Sequence, residues 1–82
     1  MDLSPVERHI LLYLWENGPD RAANIGSDDP DDSKPHPASV SRSMANLEDK
    51  GLVVHKGNAV YYLSMAGLQA ALNLKDSTGT DT

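Results

Sequence analysis

The first apolar stretch of the chain follows the period of a helix. Four apolar side chains recur at helical spacing on one face, Val6, Ile10, Tyr13 and Leu14. Ser4-Pro5-Val6-Glu7 is a capping-box sequence with proline at the first helical position, and Gly18-Pro19 is a stop signal. These features predict a helix from Pro5 to about Asn17. Because Leu11, Leu12 and Trp15 fall on the other side, we expect this helix to contact a second surface as well.

A short helix and a long loop are predicted next. Asp20 to Gly26 favours a second helix with Ala23 and Ile25 turned inward. Ser27 to His36 holds two prolines and four aspartates. Because that much charge is not desolvated in a folded protein, this segment is predicted to be an exposed loop.

The segment from Pro37 to Lys50 predicts a third helix, ended by Gly51 in a left-handed conformation. Its apolar face holds three side chains, Val40, Met44 and Leu47. The opposite face is small and polar, with Ala38, Ser39, Arg42, Ala45 and Asn46.

From Leu52 to Leu63 the period shortens to two residues, which predicts a β-hairpin with Gly57-Asn58 as its turn. The predicted register pairs Lys56 with Ala59, Val54 with Tyr61 and Leu52 with Leu63. Ser64 then caps a last helix, about Met65 to Leu74, and residues 75–82 are predicted to be a disordered tail. The predicted fold is one mainly helical domain, residues 1–74, with a hairpin wing, in the order α1-α2-α3-β-β-α4.

Composition limits the class of protein. A chain of 82 residues has room for one small domain, and the absence of cysteine excludes disulfides and thiolate zinc sites. The longest apolar run, Ile10 to Trp15, is far shorter than the roughly 20 residues that span a bilayer, and Met1 to Pro5 lacks the basic start of a signal peptide. We therefore expect a soluble, cytoplasmic protein.

The negative charge is concentrated in one place. The net charge of −5 argues against a nucleic-acid partner when taken alone. However, four of the twelve carboxylates lie between Asp28 and Asp32, whereas Ser33 to Val60 holds four basic residues against two acidic ones. The second half of the chain is therefore locally positive, as binding to phosphate requires.

Several runs resemble the winged helix-turn-helix of prokaryotic transcription regulators: Val40-Ser41-Arg42-Ser43, then Leu47-Glu48-Asp49-Lys50-Gly51-Leu52-Val53, then Tyr62-Leu63-Ser64-Met65-Ala66-Gly67 after the hairpin. More narrowly, Arg21-Ala22-Ala23-Asn24-Ile25-Gly26 followed by His36-Pro37 resembles the small repressor-like and MarR-like winged-helix proteins of haloarchaea and their phages. The resemblance covers about residues 4 to 74. It implies a halophilic, archaeal regulator that binds double-stranded DNA in a sequence-specific manner and acts as a repressor.

The resemblance also implies that Pro37 to Lys50 is the recognition helix and Lys56 to Ala59 the tip of the wing. Short side chains suit a helix that enters the roughly 12 Å wide major groove. We expect Arg42 and Asn46 to contact bases. We expect contacts to phosphates or bases from Ser39, Ser41 and Ser43. Contacts to the DNA backbone are expected from Lys34, His36, His55, Lys56 and Asn58.

A homodimer is predicted from the surplus of apolar residues on the first and last helices, more than one small core uses. They are Leu11, Leu12, Trp15, Leu68, Leu72 and Leu74. Two copies on two half-sites would also multiply the few base contacts that one such module makes.

The acidic loop has three competing interpretations. In the first interpretation, the aspartates hold a hydration shell that suits a halophilic protein. Their charge is then tolerated beside DNA because the Debye length falls to about 3 Å in molar salt. Alternatively they bind a divalent cation, although an EF-hand counted from Asp29 has Lys34 where glycine is needed and Val40 where glutamate is needed. In the third interpretation, the domain is a protein-binding adaptor that repels DNA.

No enzymatic motif is present: the sequence has no glycine-rich phosphate loop, no HExxH and no diagnostic pairing of an acid with a histidine. We therefore predict no catalytic residue, no cofactor and no bound metal. Packing or surface roles are expected for His9, His36 and His55 rather than ligation. No membrane contact and no small-molecule effector are predicted.

Overall fold

The structure is a computed structural model that describes residues 3–79, with side chains described for residues 3–76. Within these residues there are four helices and a three-stranded antiparallel sheet. The elements are α1 (Pro5–Asn17), β1 (Asp20–Arg21), α2 (Ala22–Ile25), α3 (Pro37–Asp49), β2 (Val53–Lys56), β3 (Val60–Leu63) and α4 (Met65–Gly79). The predicted fold class, mainly helical with a hairpin wing, is confirmed.

Helix α1 has the predicted bounds and the predicted cap. The Ser4 hydroxyl accepts from the Glu7 N–H at 3.2 Å, and the Glu7 carboxylate accepts from the Ser4 N–H at 2.8 Å. The helix packs against both α3 and α4. As a result Leu11, which was expected on an outer surface, is fully buried in the core together with Ile10 and Leu14.

The second helix is shorter than predicted. Asp20 and Arg21 form strand β1, which pairs with β3 through Tyr61 and Val60, and only Ala22–Ile25 is helical. Ile25 is buried as predicted, whereas Ala23 is exposed and its neighbour Ala22 packs against the core instead. Local periodicity missed β1 because its partner strand lies some forty positions further along the chain, as the pair Asp20 and Tyr61 shows.

Helix α3 agrees with the sequence prediction at both ends. Pro37 is its first residue, Lys50 is its C-cap, and Gly51 follows with a φ of 77°. The predicted inward side chains, Val40, Met44 and Leu47, are fully buried. The helix therefore presents its other face to solvent.

The hairpin forms as predicted, but the predicted register is wrong by one residue. The observed pairs are Val53 with Leu63, Val54 with Tyr62, His55 with Tyr61 and Lys56 with Val60. The loop has three residues, Gly57-Asn58-Ala59, and positive φ falls on Asn58 and Ala59 rather than on glycine. A slip of one residue exchanges the faces of a strand, so Val53 is buried and Val54 is exposed.

Helix α4 begins as predicted and runs further. The Ser64 hydroxyl accepts from the Gly67 N–H at 3.0 Å and donates to the Gly51 carbonyl at 2.6 Å. Gly67 is required there because a Cβ would overlap the backbone oxygen of Leu52. The helix continues to Gly79, so residues 75–79 do not form the predicted tail; residues 80–82 lie outside the described residues.

Candidate nucleic-acid interface

The exposed face of α3 is centred on Arg42. At about 100° per residue, Arg42 lies opposite the buried stripe of Val40, Met44 and Leu47. Within about 60° of it fall four short side chains, Ala38, Ser39, Ala45 and Asn46. All are exposed except Ser39, which is half-buried. The stripe is therefore shallow, with one long cationic side chain at its centre.

The remaining polar residues of α3 flank this stripe. Ser41 is exposed and Ser43 is half-buried, each about one residue's rotation away from Arg42. Asp49 falls on the same stripe at the C-terminal end of the helix. Because the N-terminal part of a recognition helix makes most base contacts, a carboxylate at the far end suits a groove-binding helix better than one at its start.

The N-terminus of α3 is capped by His36. Its Nδ1 accepts from the Ala38 N–H at 3.1 Å, which requires Nδ1 to be unprotonated. In the neutral ring the proton then resides on Nε2, which remains a hydrogen-bond donor. The sequence indicated a surface role for His36, but it did not indicate the cap, because histidine is not a common N-cap residue.

Strands β2 and β3 carry the other predicted residues to the wing. His55 stacks on Tyr61, with ring centroids 4.8 Å apart, so its ring is held in place. Lys56 ends β2, and Asn58 is exposed at the tip with a φ of 68°. Arg42, Lys34 and Lys56 are exposed, and none of them forms an ion pair with another described residue.

The acidic loop is closed upon itself directly before α3. The Ser27 N–H donates to the Pro35 carbonyl at 2.8 Å and joins the two ends. Inside the loop, Asp29 Oδ1 accepts from the Asp31 N–H and Asp32 Oδ1 accepts from the Lys34 N–H. All four aspartates are exposed, and no three acidic or histidine side chains among the described residues are arranged to hold a metal ion.

A hydrogen-bond network that sequence patterns did not indicate holds α1, β1 and α2 together. The Tyr13 hydroxyl donates to Asp20 Oδ2 at 2.8 Å, while Asp20 Oδ1 accepts from the Asn24 amide and from the Arg21 N–H. The Asn24 bond, then the Arg21 N–H, then Tyr13 lower the pKa of Asp20. The Asp20 bond, together with burial and the Asp20 charge, raises the pKa of Tyr13.

The predicted dimer residues occupy different depths. Leu11 is buried in the core, so it is not available to the predicted dimer interface. Leu12 and Leu74 are half-buried. Trp15, Leu68 and Leu72 are exposed to 37–41%. Met65, which was not predicted, is 85% exposed and falls at helical spacing on the same stripe of α4 as Leu68 and Leu72. The Lys75 ammonium lies 4.9 Å from the centroid of the Trp15 ring, which links the two helices at this surface.

The model of the penicillinase repressor family matches residues 3–78. The match covers nearly the whole chain, and the chain belongs to this family of winged-helix transcriptional repressors. The narrower resemblance to haloarchaeal and MarR-like proteins stays a prediction. No curated protein and no solved structure is significantly similar to the chain. None of the described helices is long and apolar enough to cross a bilayer.

Proposed function

We propose that this member of the penicillinase repressor family acts as a homodimer on double-stranded DNA, with α3 in the major groove and the β2–β3 hairpin as a wing. The observation that carries the proposal is the outer stripe of α3, where Arg42 stands among short side chains directly opposite the core. Such a stripe lets the helix backbone approach base edges, and the guanidinium then reaches guanine or phosphate.

Base reading is assigned to Arg42 and Asn46, whose side chains offer the donors and acceptors that match guanine and adenine edges. Ser39, Ser41 and Ser43 lie at the sides of the stripe, where phosphates or base edges pass. Contacts to the DNA backbone are assigned to Lys34, His36 through Nε2, His55, Lys56 and Asn58. These five residues lie before α3 or on the wing, on both sides of the reading helix along the chain.

The proposed dimer interface is the exposed apolar surface of α1 and α4, which we call the helical patch: Trp15, Met65, Leu68 and Leu72. Three of these side chains, Met65, Leu68 and Leu72, fall on one stripe of α4, and such a stripe on so small a domain favours burial against a second copy. A twofold dimer would place two α3 helices on half-sites about one helical turn apart.

Hydroxyl-radical footprinting on an operator selected from a random duplex pool tests the proposal. We expect two protected half-sites related by a twofold axis and separated by about 10 base pairs, or a multiple of that. A single protected site would contradict the dimer. Failure of the pool to yield any enriched sequence would contradict DNA reading itself.

A second candidate function, a protein-binding adaptor, is favoured by one observation. Four exposed aspartates lie immediately before the N-terminus of α3, where a DNA phosphate would approach. At low salt such a loop repels DNA, and only screening or bound cations reduce the repulsion. The adaptor predicts no enriched DNA sequence at any salt concentration, so the same selection separates the two functions.

A further inference from the structure

The three strands carry a row of two cations around one apolar residue. Strand order is β1-β3-β2, and Val60 of the central strand is paired with Arg21 on one side and with Lys56 on the other. Residues directly opposite each other in antiparallel strands project from the same face of a sheet. Arg21, Val60 and Lys56 therefore cross one face in a line whose outer Cα atoms lie on the order of 10 Å apart.

A second row on this face is apolar and aromatic. Val54 of β2 is paired with Tyr62 of β3, and both side chains are 37% exposed. The opposite face turns to the protein interior, because Val53 is buried and Tyr61 and Leu63 pack against the core. We call the solvent-facing surface, formed by Arg21, Val54, Lys56, Val60 and Tyr62, the outer sheet face.

The outer sheet face holds no carboxylate, although the chain has a net charge of −5. Asp20, the acidic residue of β1, is paired with Tyr61 and so belongs to the other face, where Tyr13 and Asn24 occupy its oxygens. Arg21 and Lys56 are exposed and lie within 4 Å of no carboxylate oxygen of a described residue, although the Arg21 charge acts on Asp20 at longer range and helps to lower the pKa of that carboxyl. By contrast, Lys50 is paired with Glu7 and Lys75 lies over Trp15.

We propose that the outer sheet face is a second DNA-binding surface, which contacts the phosphate backbone beside the segment that α3 reads. This inference rests on the proposed function, which already assigns Lys56 to the DNA backbone, and extends it to Arg21 and Tyr62. The chemistry fits phosphodiesters: a guanidinium forms two parallel hydrogen bonds to phosphate oxygens, an ammonium adds a point charge, and a tyrosine hydroxyl donates one more bond.

Continuity with the proposed interface favours nucleic acid over an acidic protein as the occupant. Lys56 and Val60 directly border the wing tip, Gly57-Asn58-Ala59. At the other end of the row, Arg21 is the residue before α2, the first helix of the helix-turn-helix pair. The outer sheet face thus connects the wing tip to the helix-turn-helix, so DNA held by α3 and the wing has backbone next to it.

The test compares Arg21→Gln, the sheet variant, with a matched variant, Arg8→Gln, which removes the same charge from the exposed surface of α1. Binding to the selected operator and to a random duplex is measured by fluorescence anisotropy across a range of KCl concentrations. Both arginine side chains are exposed, so thermal unfolding followed by circular dichroism is expected to stay close to wild type.

We expect the sheet variant to bind both duplexes more weakly by the same factor, roughly threefold to sevenfold at 0.1 M salt, because phosphate contacts carry no sequence information. The slope of log K against log salt should fall in magnitude by about 0.9, the value for one lost phosphate contact, while the matched variant keeps the wild-type slope.

Three results would overturn the inference. In the first, the sheet variant and the matched variant bind DNA equally. In the second, the sheet variant loses its discrimination between operator and random duplex. In the third, the sheet variant loses affinity for poly-L-glutamate and not for DNA. The last result would assign the surface to an acidic protein. Failure of the proposed function is distinguishable, because the wild-type protein would then bind neither duplex or bind both equally.

Discussion

The ammonium nitrogen of Lys50 lies 2.9 Å from Oε2 of Glu7 and joins the end of α3 to the start of α1. The other carboxylate oxygen, Oε1, accepts from the Ser4 N–H, so both oxygens are bonded. Glu7 is only 5% exposed, which makes it the buried charged residue of the described core. A carboxylate in that position is stable only while its partners remain. The pair therefore fixes how the proposed reading helix is held against the rest of the domain.

Replacing Lys50 with methionine tests this ion pair. The Glu7 carboxylate would stay buried without its counter-charge, and we expect the free energy of unfolding to fall by about 2 kcal/mol. This is less than for a fully buried pair, because the Lys50 side chain is 35% exposed and water screens the charge. Urea denaturation measures the change. Lys56→Met, which removes an exposed and unpaired cation, is the control, and equal urea midpoints for the two variants would argue against the role given to Lys50.

Stability should decrease at acid pH for an identifiable reason. Burial would raise the pKa of Glu7, but hydrogen bonds from Ser4 and Lys50 and the Lys50 charge outweigh it, and the pKa lies below its usual value. The pKa of Asp20 is also lowered, first by its bond from Asn24. Both carboxyl groups therefore bind protons more readily in the unfolded chain than in the folded one.

The stabilisation from these two groups is complete above the unfolded-state pKa values, near 4, and is lost as the pH falls through the folded-state values. We expect the urea midpoint to drop between neutral pH and about pH 3. It should drop less steeply in Glu7→Gln and in Asp20→Asn. Asp28→Asn, a change in the exposed loop, serves as the control. An unchanged pH dependence in both test variants would refute the assignment.

The observed hairpin register and the register expected from sequence differ in which of Val53→Ala and Val54→Ala should destabilise the domain more. Val53 is buried, so Val53→Ala should lower the free energy of unfolding by about 2 kcal/mol, whereas Val54→Ala on the outer sheet face should cost less than about 0.5 kcal/mol. Denaturation of the two variants decides between the registers. A larger loss in Val54→Ala would restore the two-residue turn and reverse the faces of β2.

These differences show which parts of the fold local sequence patterns predict and which they do not. The bounds of α1 and α3 are set by local signals, the capping box at Ser4 and the left-handed Gly51, and both were predicted. Strand β1 depends on a partner distant in the chain. The hairpin register depends on Asn58 and Ala59 taking positive φ in a three-residue loop, which Gly57-Asn58 did not suggest. Non-local pairing and backbone choice at the loop are invisible to periodicity.

The candidate site also has one part that local sequence patterns predict and one part that they do not. The stripe around Arg42 was predicted, because helical spacing alone places it opposite Val40, Met44 and Leu47. The outer sheet face was not, since it exists only when β1 joins the hairpin. Leu11 was assigned to an outer surface for a related reason: periodicity separates the faces of a helix, but it does not reveal how many of them the rest of the chain covers.

The helical patch is tested by changing its two α4 leucines together. Leu68→Ser/Leu72→Ser removes two exposed apolar side chains without opening the core, so we expect a folded monomer in size-exclusion chromatography with light scattering. Val54→Ser/Tyr62→Ser, a pair of similar exposure on the sheet, should leave the dimer intact. Dimers that persist in the leucine variant would place the interface elsewhere.

Arg42→Ala is expected to weaken binding to the operator by about 1 to 3 kcal/mol, the value of a good base contact, and to relax the preference for one base pair. Arg8→Ala, which removes an exposed arginine from α1, is the control and should change operator affinity much less. Anisotropy titrations measure both. An equal loss on operator and random DNA would make Arg42 a phosphate contact instead of a base contact.

One titration tests whether the domain reads DNA sequence with α3 despite the acidic loop beside it. Fluorescence anisotropy would compare the selected operator with a random duplex, from dilute to molar KCl. We expect the operator to be preferred, and the preference to survive at salt concentrations where the loop's charge is screened. Equal or absent binding to both duplexes at every KCl concentration would contradict it and favour the protein-binding adaptor.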